Sequence, residues 1–369
     1  MKIVCSKQNL LTGVQIVSKA VPAKTTMPTL ECILIDATKG MITLTANDME
    51  MAIETIVEGS IAERGMIAID AKFLLEIVRK LPDNDITIST DGNYKTTITC
   101  EKSRFNIIGK AGEDFNRLPE YSRDDSIIIG QFTFKDIVRQ TIFSIADNEN
   151  NKMMTGELFQ IDGHILKIVS LDGHRISVRK VILRDSYESH KVVVPGKTLN
   201  EVSKILNGDG DSYVTIYFSD KHIVFEFGDT TVVSRLIEGE YFRIDQMFNN
   251  DYETKVNINK KELLSCIDRA TLLVKEGDKK PIIMSIGDES MELKISSVIG
   301  SMREDLSIDK SGRDMMIGFN PKFLIDALRV IDDERVDLYL LNSKSPCVIK
   351  NFEETYMYLI LPVNFTTVS

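Results

Sequence analysis

Apolar positions in this chain follow two rhythms in alternating blocks. Around Lys72, the residues Phe73, Leu74, Ile77, Val78 and Leu81 recur at helical spacing and form one stripe. Lys72, Glu76 and Arg79 fall on the opposite face, at i, i+4 and i+7. The short apolar run MIAI precedes this segment, and DITIST, with strand-like alternation, follows it. The spacing predicts strand, helix, turn and strand.

The same block occurs three times. AKFLLEIVRKL after Asp70, GKTLNEVSKIL after Pro195 and PKFLIDALRVI after Asn320 align at Lys72, Lys197 and Lys322, in two steps of 125 residues. The second basic position repeats as Arg79, Lys204 and Arg329, and the acidic one as Glu76, Glu201 and Asp326. A second helical pattern aligns at Leu10, Ile137 and Leu263, in steps of 127 and 126 residues. Between the two helices of each unit lie alternating runs: LECILIDA and MITLTA, ELFQIDG and ILKIVSLDG, IIMSIG and MELKIS. Turn residues Lys39-Gly40, Asp162-Gly163 and Gly287-Asp288 separate those pairs, as hairpins require. The expected fold is α+β: three repeated domains, each with two helices packed on antiparallel sheets. Their expected boundaries are 1–122, 123–248 and 249–369.

Length and composition agree with that plan. A chain of 369 residues can bury several cores, and 43% hydrophobic with 27% charged residues is ordinary for a globular protein. The opening MKIVCSKQNLL does not read as a signal peptide, and no run of eighteen apolar residues occurs, so a cytoplasmic location is expected. Cys5, Cys32, Cys100, Cys266 and Cys347 are scattered singly among apolar residues. They read as buried free thiols rather than a disulfide framework or a zinc site.

Net charge of −10 opposes a protein that grips nucleic acid over its whole surface. The six helical segments, however, carry 14 Lys and Arg against 6 Asp and Glu. A basic helical surface within an acidic body suits a polyanion enclosed loosely. Helices packed side by side at about 9–10 Å set the size of such an enclosure. Six close a ring with a hole of only ~8 Å, whereas twelve leave ~25 Å, enough for duplex DNA roughly 20 Å across. One chain is too small, and two related by symmetry suffice. The cations expected to face the duplex are Lys7, Lys72, Arg79, Lys135, Arg139, Lys197, Lys204, Lys260, Lys261, Lys322 and Arg329.

Three motifs invite chemistry and do not support it. Asp172-Gly173-His174-Arg175 holds a carboxylate beside an imidazole, but neighbours on a tight turn point apart and no nucleophile accompanies them. Pro195-Gly196-Lys197-Thr198 imitates the end of a phosphate-binding loop, yet Lys191 stands where that loop needs its first glycine. The acidic run after Asn207 lacks the spacing and late Glu of a calcium loop. No enzymatic activity, cofactor or metal is expected.

Three repeats, basic helix faces and this length together resemble the bacterial sliding-clamp family, the beta subunits of the replicative DNA polymerase III. The likeness covers the whole chain. Its most specific stretch is Leu171-Asp172-Gly173-His174-Arg175-Ile176. Leu359-Ile-Leu-Pro362-Val363 resembles the family's closing strand, and MKIVCSKQNLL with Met27-Pro-Thr-Leu30 its opening elements. The resemblance implies a head-to-tail homodimeric ring of six domains, a processivity factor placed on double-stranded DNA by a clamp loader. It also implies a pocket for short peptides of the polymerase and other partners, without sequence-specific DNA contacts or membrane attachment.

By the same resemblance, Met154, Leu171, Gly173, His174, Arg175 and Ile176 line that pocket from the middle domain. Phe242, Gln246 and Met247 join at the junction, and Asn320, Phe323, Lys344, Pro346, Leu359, Leu361, Pro362, Val363 and Asn364 come from the last domain. Phe242, Gln246 and Asn364 depart from the family's usual Pro, Arg and basic residue, and the tail Thr366–Ser369 is extra. The dimer seam would use Arg104, Phe105 and Ile107 against Leu272 and Leu273, with Glu304 and Asp305 as acidic partners. Read without the resemblance, the repeats also suit a scaffold that binds only proteins.

Overall fold

The computed structural model describes residues 1–147, 151–248, 251–274 and 280–365. The chain divides into two compact units, Met1–Phe134 with Lys197–Leu236, and Lys135–Gly196 with Ile237–Ser369. Helices α3 (Gln131–Thr141) and α4 (Gly196–Ile205) begin in one unit and end in the other.

In the first unit, a five-stranded antiparallel sheet runs β5 (Ser60–Glu63), β1 (Lys2–Ser6), β7 (Asp85–Thr90), β8 (Lys95–Cys100), β9 (Ser103–Ile108). An eight-stranded sheet runs β10 (Ser126–Gly130), β13 (Tyr213–Phe218), β14 (His222–Phe227), β15 (Thr230–Arg235), β4 (Met51–Val57), β3 (Ile42–Asn47), β2 (Cys32–Asp36), β6 (Met66–Asp70). Helix α1 (Lys7–Val17) buries Leu10, Val14 and Val17 against β3 and β4. Gly13 permits that approach, because a Cβ there would sit 2.5 Å from Val57 Cγ2. Ser6 and Asp70 start α1 and α2 (Ala71–Lys80) by accepting from the backbone N–H of Asn9 and Phe73, satisfying donors the helix cannot.

In the second unit, a seven-stranded sheet runs β11 (Gly156–Leu171), β12 (Arg175–Pro195), β24 (Tyr356–Ile360), β23 (Cys347–Lys350), β22 (Arg335–Leu340), β16 (Thr254–Asn259), β20 (Asp309–Gly312). A four-stranded sheet runs β19 (Gly300–Ser307), β18 (Ser290–Ser297), β17 (Ile282–Ile286), β21 (Met315–Phe319). Helices α5 (Lys260–Thr271) and α6 (Pro321–Val330) pack on each other and bury Leu263, Ile267, Leu324 and Leu328 in the same core as both sheets.

Most expected elements are present, with two corrections. Hairpins form at Gly40, which takes φ +85°, and at Gly287-Asp288. Asp162-Gly163 instead lies inside the continuous strand β11, with register shifts on either side of Gly163. The glycine's φ of +58° is spent on a bulge, because β12 continues alongside. Phe73 leaves the apolar stripe: it is 65% exposed while Leu74 and Val78 are buried, since it sits at the stripe's edge beyond the reach of either sheet. All five cysteines are buried and unpaired, and burial pushes the Cys5 thiol up to about 11 and that of Cys347 to about 12.

Glu157 is the exception within these cores. Opposite Val194, it occupies the position that Ile33 (opposite Ile69) and Ile282 (opposite Phe319) fill in the other repeats. It is 0% exposed, neither carboxyl oxygen has a hydrogen-bond partner among the described residues, and burial pushes its pKa up to about 8. A raised carboxyl pKa stabilises the fold fully only below the unfolded value, near 4.5, and that stability is lost progressively as pH rises toward 8. By pH 7 the loss is about 3 kcal/mol. Glu157→Ile is therefore expected to raise the urea midpoint at pH 7–8 and flatten its pH dependence; an unchanged pH profile contradicts this reading.

Candidate functional site

The eight- and seven-stranded sheets are joined alike. In each, the last strand of one repeat pairs with a strand of the repeat before it: β15 with β4, and β24 with β12. Ser234 lies opposite Met51, and Ile360 opposite Arg175. One step on, Arg235 N–H donates to Glu50 O and Leu361 N–H to His174 O, both at 2.9 Å. The turn entering each joint is also shared. Asp48 Oδ1 accepts from Glu50 and Met51 N–H, and Asp172 Oδ1 from His174 and Arg175 N–H. Met49 (φ +76°) and Gly173 (φ +87°) occupy the left-handed position between them.

Around the second joint many of the residues expected to line a pocket lie close together. Leu171, Ile176 and Leu359 belong to one buried cluster, with Met154 and Phe242 packed against it. Phe242 meets Tyr241 edge-on at 5.8 Å, and Tyr241 OH is anchored on Val169 O. Beside this floor, Arg175 is sandwiched 4.6 Å from Phe323 and 5.3 Å from Phe143. Its guanidinium donates to Asp172, to Asp326 on α6 and to Phe143 O. His174 stacks on Phe323 at 5.9 Å. Leu361 stays exposed at the rim, and Val363 N–H holds the chain beyond it to Gly318 O. Met247 and Pro346 line a neighbouring hollow of about 100 Å3 with Tyr339 and Val348. The result is an apolar trough with a few fixed polar groups, the kind that takes an extended chain.

Four expected pocket residues contribute less. Asn320 spends its side chain capping α6 through Lys322 N–H. Lys344 only closes a turn, through its own N–H to Asn342, and Gln246 and Asn364 are exposed beyond the trough. Pro362 is half-buried between Leu361 and Val363. The tail Thr366–Ser369 lies outside the described residues. Sequence reasoning missed Met357, Phe248, Phe143 and Asp326. Met357 was findable, lying two residues before Leu359 on the same strand face. Asp326 was not: helical spacing puts it with Lys322 and Arg329, and only tertiary structure gives it to Arg175.

Among the sheet edges, β9 in the first unit and β19 in the second stand out by the apolar residues exposed on or beside them. Counting back from the equivalent bonds Lys110 N–H to Ala68 O, Ile237 N–H to Val193 O and Val363 N–H to Gly318 O, Ile107 corresponds to Ser234 and Ile360, and Phe105 to Val232 and Tyr358. Val232 is 0% and Tyr358 1% exposed, whereas Phe105 is 39% exposed. Arg104 and Ile108 are exposed on the same strand, and Leu272, Val298, Ile299 and Asp305 near or on the other edge. Leu273 packs partly against its own core, and Glu304 pairs with Arg269 within the chain. Sequence reasoning missed Ile108, Val298 and Ile299, all more exposed than Phe105; their signal was an apolar residue on a strand's polar face and an apolar pair at a turn.

The helix cations separate into three groups. Lys72, Lys261 and Lys322 are exposed and hold no ion pair among the described residues. Arg79, Arg139, Lys204 and Arg329 are exposed but pair with Glu76, Asp136, Glu201 and Asp268, at 2.6–3.2 Å. Glu76, Asp136 and Glu201 each take the cation three positions on, whereas Arg329 pairs with Asp268 of α5. Lys197 pairs with the buried carboxylate of Asp48, and Lys135 is half-buried with a bonding partner. Lys7 and Lys260 are corrections: each turns inward to donate to the last carbonyls of its repeat's other helix, Leu81 O and Ile331 O. No helix among the described residues is long and apolar enough to cross a membrane.

Comparison with known proteins places this architecture. Profiles for the N-terminal, central and C-terminal domains of the DNA polymerase III beta subunit match residues 1–119, 128–242 and 245–364. The beta sliding clamp of Staphylococcus epidermidis is 35% identical over 356 residues, 94% of both chains. The crystal structure of the Bacillus subtilis DNA polymerase sliding clamp superposes with a TM-score of 0.96 at 31% identity, covering 99% of this chain and 100% of that one. A crystal structure from Eubacterium rectale, assigned as a DNA polymerase III beta subunit, gives 0.97 at 66% identity over 99% and 100%. The chain belongs to the DNA polymerase III beta subunit family, the beta sliding clamps.

Proposed function

We propose that this chain is a processivity factor of DNA replication: two copies close a ring that encircles duplex DNA, slides on it and tethers the replicative polymerase. The observation that carries the reading is the incomplete third joint. Two joints are made inside the chain, and β9 and β19, each at the edge of its sheet, would be the halves of a third. Two chains head to tail complete both missing joints, giving six domains and the twelve helices that a duplex-sized hole requires. The boundaries 1–122, 123–248 and 249–369 follow as the proposed domains.

Carrying the register of the first two joints across predicts Ile107 opposite the partner's Gly300, Phe105 opposite the partner's Met302 and Lys102 opposite the partner's Asp305. Phe73, equivalent to Phe323 by its place in α2, would then be covered at the seam, which accounts for its exposure in the single chain. Lys72, Lys197 and Lys322, with the paired cations behind them, would touch phosphates only, so sliding needs no base reading. The trough around Leu171, Ile176, Arg175, Phe323 and Leu359 would dock peptides of the polymerase, the clamp loader and other partners. The protein would act by topology and docking in the cytoplasm, without catalysis.

The test is retention on DNA. Loaded by a clamp loader, wild type is expected to remain on closed circular DNA and to escape once the circle is cut. Charge reversal of Lys72, Lys197 and Lys322 to Glu is expected to shorten retention at least about tenfold at low salt, with the dimer intact. Retention independent of DNA ends favours the protein-only scaffold instead.

A further inference from the structure

The first joint carries a cleft built like the trough of the second. It has a cavity volume of about 390 Å3, framed by the turn at Met49, the strands β4 and β15, His222 and the linker residues Asn116, Arg117 and Pro119. Its positions correspond one by one, through the shared register: Ala52 to Ile176, Val233 to Leu359, Arg235 to Leu361. His222 likewise takes the place of Pro346, because Ile223 faces Ser234 as Cys347 faces Ile360. The backbone that shapes the trough is thus made twice, with different chemistry on it.

The substitutions change both size and charge. Ala52 and Val233 are smaller than Ile176 and Leu359, so the floor is less apolar. Arg235 is exposed at the rim where Leu361 stands in the other joint, and it has no side-chain partner among the described residues. Arg117 also faces the cleft, holding Asp36 at 3.8 Å. Against these stands Glu50, whose equivalent is His174. Asp48 is already spent on Lys197.

We propose that this cleft is a second docking site, taking an extended peptide segment whose anchor is a side-chain carboxylate held by Arg235. The proposal rests on the docking reading of the second joint, and the two can fail separately. An aliphatic anchor fits the second joint, where Leu361 rims a larger apolar floor; a carboxylate fits the first, where a cation rims a smaller one.

Fluorescence polarisation on the full-length protein tests it with three labelled hexapeptides: one bearing adjacent Asp and Glu, its Asn and Gln counterpart, and one bearing Leu and Phe. The acidic peptide is expected to saturate, to weaken about tenfold or more in Arg235→Glu and Arg235→Leu, and to be indifferent to Phe323→Ala. Because Arg235→Leu copies the other joint, it also controls for the fold. Equal binding of the amide counterpart, loss in Phe323→Ala, or no saturation of the acidic peptide overturns the proposal. If the Leu and Phe peptide also fails to bind, docking at the second joint falls with it.

Discussion

Phe105→Asp is expected to halve the mass of the protein in solution, from about 83 kDa to the 41.6 kDa of one chain. The two completed joints say why. At the position of Phe105 they hold Val232 and Tyr358, which are fully buried. A carboxylate there would have to be buried without a cation to pair with, at a cost of several kcal/mol. A two-chain ring contains the seam twice, so the penalty counts twice in the assembly. Since Phe105 is only partly covered in the single chain, the fold itself should tolerate the change, with a urea midpoint close to wild type. Light scattering at micromolar concentration reads the outcome. A dimer that survives with unchanged mass would place the seam away from β9.

Arg175→Ala is expected to weaken an apolar-anchored partner peptide about a hundredfold while leaving the dimer whole. Arg175 is the joint's keystone: one guanidinium binds the turn at Asp172, helix α6 at Asp326 and the carbonyl of Phe143, between two aromatic rings. Removing it leaves Asp326 without its cation and frees Phe323, which forms one wall of the trough. Phe323→Ala removes that wall directly and should cost a comparable factor, without disturbing Asp172 or Asp326. Peptide titration by polarisation measures both. Unchanged affinity in both variants would move the docking site elsewhere.

The threefold repeat was legible because each second helix follows directly on a strand end and keeps its lysine, acidic residue and cation in register. Which face of a helix residue does the work was less legible. Lys7 and Lys260 look like surface cations by spacing, yet their ammonium groups are drawn to the open carbonyls of a helix far along the chain. Strand pairing between repeats was not legible at all. The pairing of β15 with β4 and of β24 with β12 joins residues about 180 positions apart, and nothing in either strand's alternation marks its neighbour. On the proposed seam, Phe105, Ile108 and Val298 cease to be stray exposed residues and become the halves of a third. The trough was legible through its motif at Leu171–Ile176, but not its support by Asp326 and Phe143.

One measurement tests the central claim most directly. Phe105→Cys and Met302→Cys, combined in one chain whose native cysteines are all buried, place a thiol on each edge at a directly opposed position of the proposed register. After loading onto circular DNA and oxidation, both seams should close as disulfides. The account predicts a two-chain covalent circle that stays with the DNA through denaturing detergent and is released when the DNA is cut. Failure to cross-link, or a cross-linked product that leaves intact circles in detergent, would contradict the encircling ring.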